Sequence, residues 1–156
     1  MITWAHVEGV DELERDLVAA RRSLSDGLRS GVRKAAEEGA DEARATHRFV
    51  NRTGRLEGSI AADHIVSTPG GAESDIVVTA RYASFVEAGT APHEIHARRA
   101  PNLVFQVDGV WVRTKKVNHP GTKADGFAGR GYQKAERVVE REVDLAAERA
   151  ADIVNR

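Results

Sequence analysis

Histidines are the residues of this sequence with the clearest capacity for chemistry. His93, His96 and His119 make up half of the six histidines in a chain of 156 residues. Neutral imidazole is a common zinc ligand, and three such ligands with one open position form a hydrolytic zinc site. On a strand, however, a spacing of three residues points His93 and His96 to opposite faces. A metal-dependent hydrolase using His93, His96 and His119 therefore stays an alternative, and the sequence predicts no metal and no cofactor.

Other residue patterns that could support catalysis are weak. Glu87 and Glu94 could form a general acid/base pair, but charged residues make up 30% of the chain and such pairs arise by chance. Residues 126–131 are rich in glycine but lack the preceding strand and the lysine of a phosphate-binding loop, and we interpret them as a flexible approach to a helix. The chain has no cysteine, which excludes thiol nucleophiles and disulfides. The sequence predicts no catalytic residue and no enzyme activity.

One segment of the chain is basic. Residues 91–123 carry six basic and two acidic side chains, a net charge of +4, whereas the whole chain has a net charge of −1. We expect this segment to contact an acidic partner, and its predicted interface residues are His93, His96, Arg98, Arg99, Arg113, Lys115, Lys116, His119 and Lys123. A small nucleic-acid-binding protein is a second alternative, because the basic segment could contact phosphates. The near-zero net charge of the whole chain argues against it.

Membrane and export signals are not evident in the sequence. No window approaches the run of about 20 apolar residues that a membrane span requires. Residues 1–6 lack the basic and then apolar layout of a secretory signal. We therefore expect a protein of the cell interior, or one assembled there, with no membrane partner.

The first half of the chain begins with a helical pattern. A short strand is predicted over residues 2–10, and Asp11 or a neighbour is expected to cap the helix that follows. This helix extends to about His47, and the sequence leaves open whether it is continuous or broken near Gly27. Its first half carries a stripe of apolar residues at helical spacing, namely Leu13, Leu17, Ala20, Leu24 and Leu28. Small residues continue the face, which would allow another helix or a sheet to approach closely; they are Ala35, Ala36, Gly39, Ala40 and Ala43.

A second helical pattern ends the chain. It is predicted to begin at Gly131, and its apolar stripe is Ala135, Val139, Val143, Ala146, Ala150 and Val154. Between the two helices, residues 59–68 and 76–80 read as strands of an antiparallel hairpin joined by a turn at residues 69–71. Asp108-Gly109 predicts a second hairpin, with strands over residues 103–107 and 110–117. The fold class is therefore α+β: an antiparallel sheet of hairpins flanked by a long N-terminal helix region and a long C-terminal helix.

The domain organisation follows from length. A chain of 156 residues is expected to form a single domain over residues 1–156. Residues 91–99 and 118–131 are predicted as extended loops, too long to be simple linkers. In an oligomer we would expect both loops to dock against neighbouring subunits.

Three motifs occur in a fixed order along the chain. The first follows the predicted N-terminal helix, the second follows a strand, and the third precedes the C-terminal helix. The residues that define them are Gly54 and Leu56; Tyr82, Phe85, Glu87, Gly89 and Thr90; and Pro120, Gly121 and Phe127. In this order the motifs resemble the tail-completion or head–tail joining (neck) proteins of long-tailed bacteriophages, and the resemblance covers about residues 5–150.

The resemblance implies a structural virion protein and no enzyme. It implies a small α+β domain that assembles into a ring, of about six copies, at the head–tail junction or the head-proximal end of the tail. The implied partners are further copies of the chain, head-completion or connector proteins, tail-terminator or tail-tube proteins, and genomic DNA in the channel. Assembly would take place in the bacterial cytoplasm. The chain departs from the family pattern at Gly126, a place often held by proline, which predicts a different local loop shape.

The motif residues also have a physical interpretation. Tyr82, Phe85 and Val86 are spaced as one helical turn, whose apolar face is expected to pack on the first hairpin. Gly89 is expected to end that turn in a left-handed conformation. Pro120-Gly121 predicts a tight turn after the last strand.

Overall fold

The computed structural model of the chain describes residues 9–69 and 71–156. Its helices are α1 (Val10–Ala45), α2 (Ala83–Ala88) and α3 (Phe127–Val154). Its strands are β1 (Ile60–Ala62), β2 (Val66–Thr68), β3 (Gly71–Glu73), β4 (Ile76–Val78), β5 (His93–His96), β6 (Leu103–Val107), β7 (Val110–Thr114) and β8 (Lys116–His119). This arrangement confirms the predicted α+β class. Of the strand predicted over residues 2–10, residues 2–8 lie outside the described part of the chain, and Val10 is the first residue of α1 instead.

Helix α1 is continuous, which settles the question left open at Gly27. Gly9 precedes its first turn with a φ of +86°, in place of the side-chain cap expected from Asp11. Gly27 does not break the helix because it faces α3: a Cβ added there would lie 2.7 Å from the Cβ of Ala146. The glycine therefore serves a close helix contact.

Helices α1 and α3 pack against each other as an antiparallel pair. A Cβ at Gly31 would lie 2.7 Å from the Cβ of Glu142, and one at Gly39 would lie 2.8 Å from the carbonyl oxygen of Gly131. The small residues that were predicted to allow a close approach of a helix or a sheet are all buried: Ala35, Ala36, Gly39, Ala40 and Ala43. Because these residues have little or no side chain, the two backbones approach closely.

The stripe predicted on α3 is wrong at Val143, which is 40% exposed, whereas Val138 is 1% exposed. Steps of four residues overshoot a helical turn by about 40° each, so the row from Ala135 through Val139 to Val143 rotates away from α1. The contact face instead passes through Val138 and Glu142. The helix also begins at Phe127 rather than at Gly131.

The glycine-rich segment before Gly131 is therefore the first turn of α3 and not a flexible approach. Phe127 is fully buried, in one cluster with Ala43, Leu56 and Ile60. Its ring meets that of Phe49 edge to face, with 5.8 Å between the centroids. This cluster joins the end of α1, the first strand and the start of α3.

The first hairpin is formed by β1 to β4. Strand β1 pairs antiparallel with β4, as predicted, and β2 pairs with β3, a strand that the sequence did not predict. The two ladders differ by one residue in register, and Asp63 donates its backbone N–H to the carbonyl oxygen of Asp75 between them, at 2.7 Å. The hairpin packs on α1 through β1, β3 and β4.

The second hairpin is a long two-stranded ribbon, which we call the arm (residues 90–122). Strand β5 pairs antiparallel with β8, β6 pairs with β7, and a bridge between Thr90 and Thr122 closes the base. Asp108 and Gly109 form the turn with φ values of +50° and +83°, which confirms the Asp-Gly prediction. Part of each predicted loop is therefore regular structure: β5 lies within 91–99, and residues 118–131 include the end of β8 and the first turn of α3.

Among the helices in the described part of the chain, none has both the length and the apolar character needed to cross a membrane.

Candidate assembly interface

All nine predicted interface residues lie on the arm or directly beside it. His93 and His96 are on β5, Arg113 is on β7, and Lys116 and His119 are on β8. Arg98 and Arg99 lie in the segment that links β5 to β6, Lys115 lies between β7 and β8, and Lys123 follows the base. The structure thus gathers them on one ribbon, along its length and not in one pocket.

The histidines do not converge on a common point. His93 and His119 are cross-strand partners with 5.1 Å between their ring centroids. The Nδ1 atom of each ring forms a hydrogen bond within the arm. That of His93 lies 2.9 Å from the carbonyl oxygen of Ala91, and that of His119 accepts from the backbone N–H of Gly121 at 3.1 Å. His96 pairs instead with Lys116 across the ribbon. Within residues 9–69 and 71–156, no group of three or more potential ligands is placed to hold a metal ion.

The two carboxylates considered as an acid/base pair have separate structural partners. Glu87 accepts hydrogen bonds from the backbone N–H groups of Ala128 and Gly129, at 2.9 and 3.1 Å. These N–H groups are free at the first turn of α3, and a carboxylate there also complements the helix dipole. Glu94 contacts Lys116 at 3.0 Å on the arm. The motif glutamate therefore fixes α2 to the start of α3.

A nearly buried ion pair strengthens the same junction. The carboxylate of Asp125 accepts hydrogen bonds from Arg130 and from the backbone N–H of Arg48, each at 2.7 Å. Arg130 also donates to the carbonyl oxygen of Thr46, at 2.8 Å. The pair ties the end of α1 to α3, and the sequence interpretation did not identify it. An acidic residue two positions before the first residue of α3 was the available signal.

The base of the arm is a tight crossing of two chain segments. Gly89 has φ +73° and ψ −178°, a conformation that is nearly restricted to glycine but is not the predicted left-handed helical one. A Cβ at Gly89 would lie 2.7 Å from the backbone nitrogen of Ala124, and one at Gly121 (φ +85°) would clash with the backbone of Thr90. These close approaches leave no room for a side chain at either glycine. The arm therefore leaves the rest of the fold, which we call the body (residues 9–69, 71–89 and 123–156), at a tightly fitted point.

Gly126 also has a conformation that explains the departure from the family pattern. Its φ of +71° and ψ of 26° are left-handed. Proline cannot adopt a positive φ, so the loop before α3 has a shape that a proline at this position would forbid. Pro120, the residue before Gly121, is exposed.

Two aromatic motif residues are exposed, contrary to the prediction that they pack on the first hairpin. Tyr82 is 44% and Phe85 is 61% exposed, whereas Ala83 is buried and Val86 packs against the core. Helix α2 thus turns Ala83 and Val86, and not Tyr82 and Phe85, towards the core. Leu56 is buried as a core residue, and Gly54 occupies an exposed turn with a φ of +68°. Tyr82 and Phe85 therefore form an exposed aromatic pair next to the arm's base.

The outer half of the arm exposes apolar side chains together with basic ones. Val104 and Arg113 are directly opposite each other, and so are Gln106 and Trp111, which places these four on one face. Val104 is 56% and Trp111 is 68% exposed. We call this the Trp111 face. It combines the apolar side chains of Val104 and Trp111 with the positive charge of Arg113. Such a surface is suited to contact with another protein.

Two carboxyl groups outside the arm, those of Asp63 and Glu142, have pKa values below their usual range. The pKa of Asp63 is lowered chiefly by the hydrogen bond it accepts from the backbone N–H of His64. The pKa of Glu142 is lowered chiefly by its hydrogen bond from Lys34, at 2.7 Å. Both shifts have local structural causes.

The comparison with protein families identifies one match. Residues 11–89 match the family model described as "Bacteriophage HK97-gp10, putative tail-component". The match covers just over half of the chain, from the start of α1 to Gly89 at the end of α2, and so stops at the base of the arm. Comparisons with curated proteins and with solved structures found no match.

Proposed function

Because the chain belongs to the HK97-gp10-like family of bacteriophage tail components, we propose that it forms a ring at the head–tail junction, or at the head-proximal end of the tail, that completes the tail and joins it to the head. Membership of this family makes it a structural component of a phage tail and thus of the virion. The ring and its position are the new part of the proposal. They agree with the resemblance of the three motifs to neck proteins.

The arm is the observation that carries the proposal. An isolated two-stranded ribbon is at best marginally stable in water. Helices α1 and α3 pack on each other, and α1 also packs on the first hairpin. The arm nevertheless exposes Val107, Val110 and Trp111 by 48–68%. Exposed apolar groups on a projecting ribbon are typical of surfaces that become covered on assembly. The exposed pair Tyr82 and Phe85 adds a second such surface.

The proposed partners follow from the same surfaces. The ring would consist of about six copies of the chain, contacting a head-completion or connector protein on one side and a tail-terminator or tail-tube protein on the other. The basic residues of the arm could also contact genomic DNA in the channel. Assembly would take place in the cytoplasm of the bacterial host.

We propose that this role involves no catalysis. Glu87 and Glu94 are engaged in structural hydrogen bonds, and His93 and His119 use Nδ1 within the arm. Zinc binding by the purified protein together with hydrolytic activity that depends on His93 would contradict this part of the proposal.

The location can be tested on particles. Mass spectrometry of purified virions should detect the chain at about the copy number of a single ring. The double variant Arg98→Glu/Arg99→Glu should fold normally and leave heads and tails unjoined in electron micrographs of lysates, because it reverses part of the basic surface. The matched control is Arg137→Glu/Arg149→Glu, two exposed arginines of α3, which should join heads and tails normally. Virions that lack the chain would overturn the proposal.

A further inference from the structure

A second exposed surface has the opposite charge to the arm. Residues 10–18, which we call the helix end, form the first turns of α1 and carry four acidic side chains and one basic one. Their apolar side chains are at least half exposed: Val10 54%, Leu13 50%, Leu17 52% and Val18 66%. The first part of the apolar stripe on α1, with Leu13 and Leu17, is therefore exposed in the single chain.

The register of the helix pair explains this exposure. Gly27 lies against Ala146 and Gly31 against Glu142. Because the helices are antiparallel, a position one residue closer to the N-terminus of α1 lies against a position one residue closer to the C-terminus of α3. This register places Val154, the last residue of α3, beside residue 19 of α1. The helix end thus projects past its partner helix, while Ala20 is still buried.

On the helix end, acidic and apolar side chains share a face. Glu14 is four residues after Val10, three before Leu17 and four before Val18, and these spacings are those of surface neighbours on a helix. The pattern mirrors the Trp111 face of the arm, where Arg113 adjoins Val104 and Trp111. One surface has an apolar centre with anions and the other has an apolar centre with cations.

The base of the arm and the helix end lie at opposite ends of the helix pair. The arm leaves the body near the start of α3, which packs on the C-terminal part of α1 at Gly39 and Ala43. At 1.5 Å per residue, Gly39 is about 44 Å from Val10 along the helix. Two complementary surfaces at opposite ends of one molecule suit a heterologous contact, in which each copy binds the next, and repetition of that contact gives a ring if it closes.

We propose that the Trp111 face of the arm of one copy docks on the helix end of the next copy, and that this contact joins the subunits of the ring. The inference rests on the proposed ring and names its interface. Pairing between two arms would bring together two ribbons that each have a net charge of +3, and duplex DNA would leave Trp111 and Val104 without an apolar partner. The helix end supplies both the opposite charge and the apolar cover.

Introduced cysteines can test the contact, because the chain has none of its own. The variant Leu17→Cys/Val104→Cys of the full chain should form a disulfide-linked ladder on oxidation. Each single variant should remain monomeric on a non-reducing gel, and an equimolar mixture of the two should stop at a covalent dimer. The matched control is Val143→Cys/Val104→Cys, which moves the helical cysteine to the exposed side of α3 and should give no ladder.

Charge reversal provides the second test. Asp11→Lys/Glu14→Lys on the helix end, or Arg113→Glu/Lys115→Glu on the arm, should each weaken self-association at least tenfold by sedimentation velocity. Combining all four substitutions should restore it, because the two surfaces then exchange signs. Unfolding of a variant would be recognised by circular dichroism, and the combined variant controls for it.

The outcomes separate this contact from the proposed function. If the Leu17–Val104 ladder is absent and the combined variant does not recover association, the contact is overturned. If the arm variant instead loses retention of duplex DNA while its self-association is unchanged, the arm binds nucleic acid and the contact is again overturned. Detection of the chain in virions tests the tail role independently of both results.

Discussion

The body and the arm of this molecule differ in how they are stabilised. In the body, α1 and α3 pack so closely that Gly31 and Gly39 have no room for a Cβ, and Phe127 is fully buried. In the arm, hydrogen-bonded ladders hold two strands together, but Trp111 and Val110 remain about two-thirds exposed. The body has a core of its own, whereas the arm has backbone order without a core.

This difference indicates where stability and assembly reside. Burial of apolar surface is the main favourable term in folding, so substitutions in the body should change the free energy of unfolding of the single chain. The same kind of substitution in the arm should change association and leave the single chain nearly unaffected. The predictions below test this division, starting with the largest expected effect.

Truncation of an aromatic side chain should have opposite consequences in the two regions. Phe127→Ala should lower the free energy of unfolding by about 3–5 kcal/mol, because it empties a site in the core. Trp111→Ala should change it by less than about 0.5 kcal/mol, since the side chain is 68% exposed, and should reduce self-association. Chemical denaturation and sedimentation velocity measure the two quantities. A large loss of stability in Trp111→Ala would show that the arm contributes to the fold of the single chain.

Addition of one methyl group tests the close helix contact. Gly39→Ala should destabilise the chain by about 1–2 kcal/mol, because the new Cβ would lie 2.8 Å from a carbonyl oxygen of α3 and 2.9 Å from the Cβ of Ala135. The matched helical control is Gly129→Ala, whose Cβ would meet only the side chain of Glu87, at 3.7 Å. It should be neutral or more stable by up to about 1 kcal/mol, since alanine favours helix. Equal Tm values for the two variants would contradict the close packing.

The smallest effect is expected for the surface ion pair between the helices. The pKa of Glu142 is lowered from its ordinary value of 4.5 by Lys34, so the charged form is favoured in the folded state. Its contribution to stability is present above the unfolded pKa and is lost as the pH falls through the folded pKa. Glu142→Gln should therefore lower Tm slightly at pH 7 and leave it unchanged at low pH. Glu148→Gln, on the exposed side of α3, should leave Tm unchanged at both.

The elements of the fold were largely predictable because their signals are local. Small residues at helical spacing predicted the close-packed face of α1, and Asp108-Gly109 predicted the hairpin turn. The start of α3 was missed because glycine normally disfavours helix, whereas Gly131 is required there by the approach of Gly39. That requirement lies on another helix and is not visible in the local sequence.

The candidate interface was predictable in composition but not in shape. The net charge of residues 91–123 identified the basic segment. The sequence predicted the hairpin of residues 103–117 but not its extension into a longer ribbon, because β5 pairs with β8 across nineteen intervening residues. Nor did it show that Leu13 and Leu17 are exposed, since an apolar stripe has the same spacing whether its partner is in the same chain or in another.

The amino-acid sequence by itself determined the α+β class, the Asp-Gly hairpin, the long helices and the basic segment. Each of these depends on residues that are close to one another in the sequence. Tertiary structure alone decided the register of α1 against α3, the junction made by Glu87 and Asp125, and the projection of the helix end beyond Val154. Those features depend on which distant surfaces meet, and a pattern of apolar residues specifies that a face will be covered without specifying what covers it.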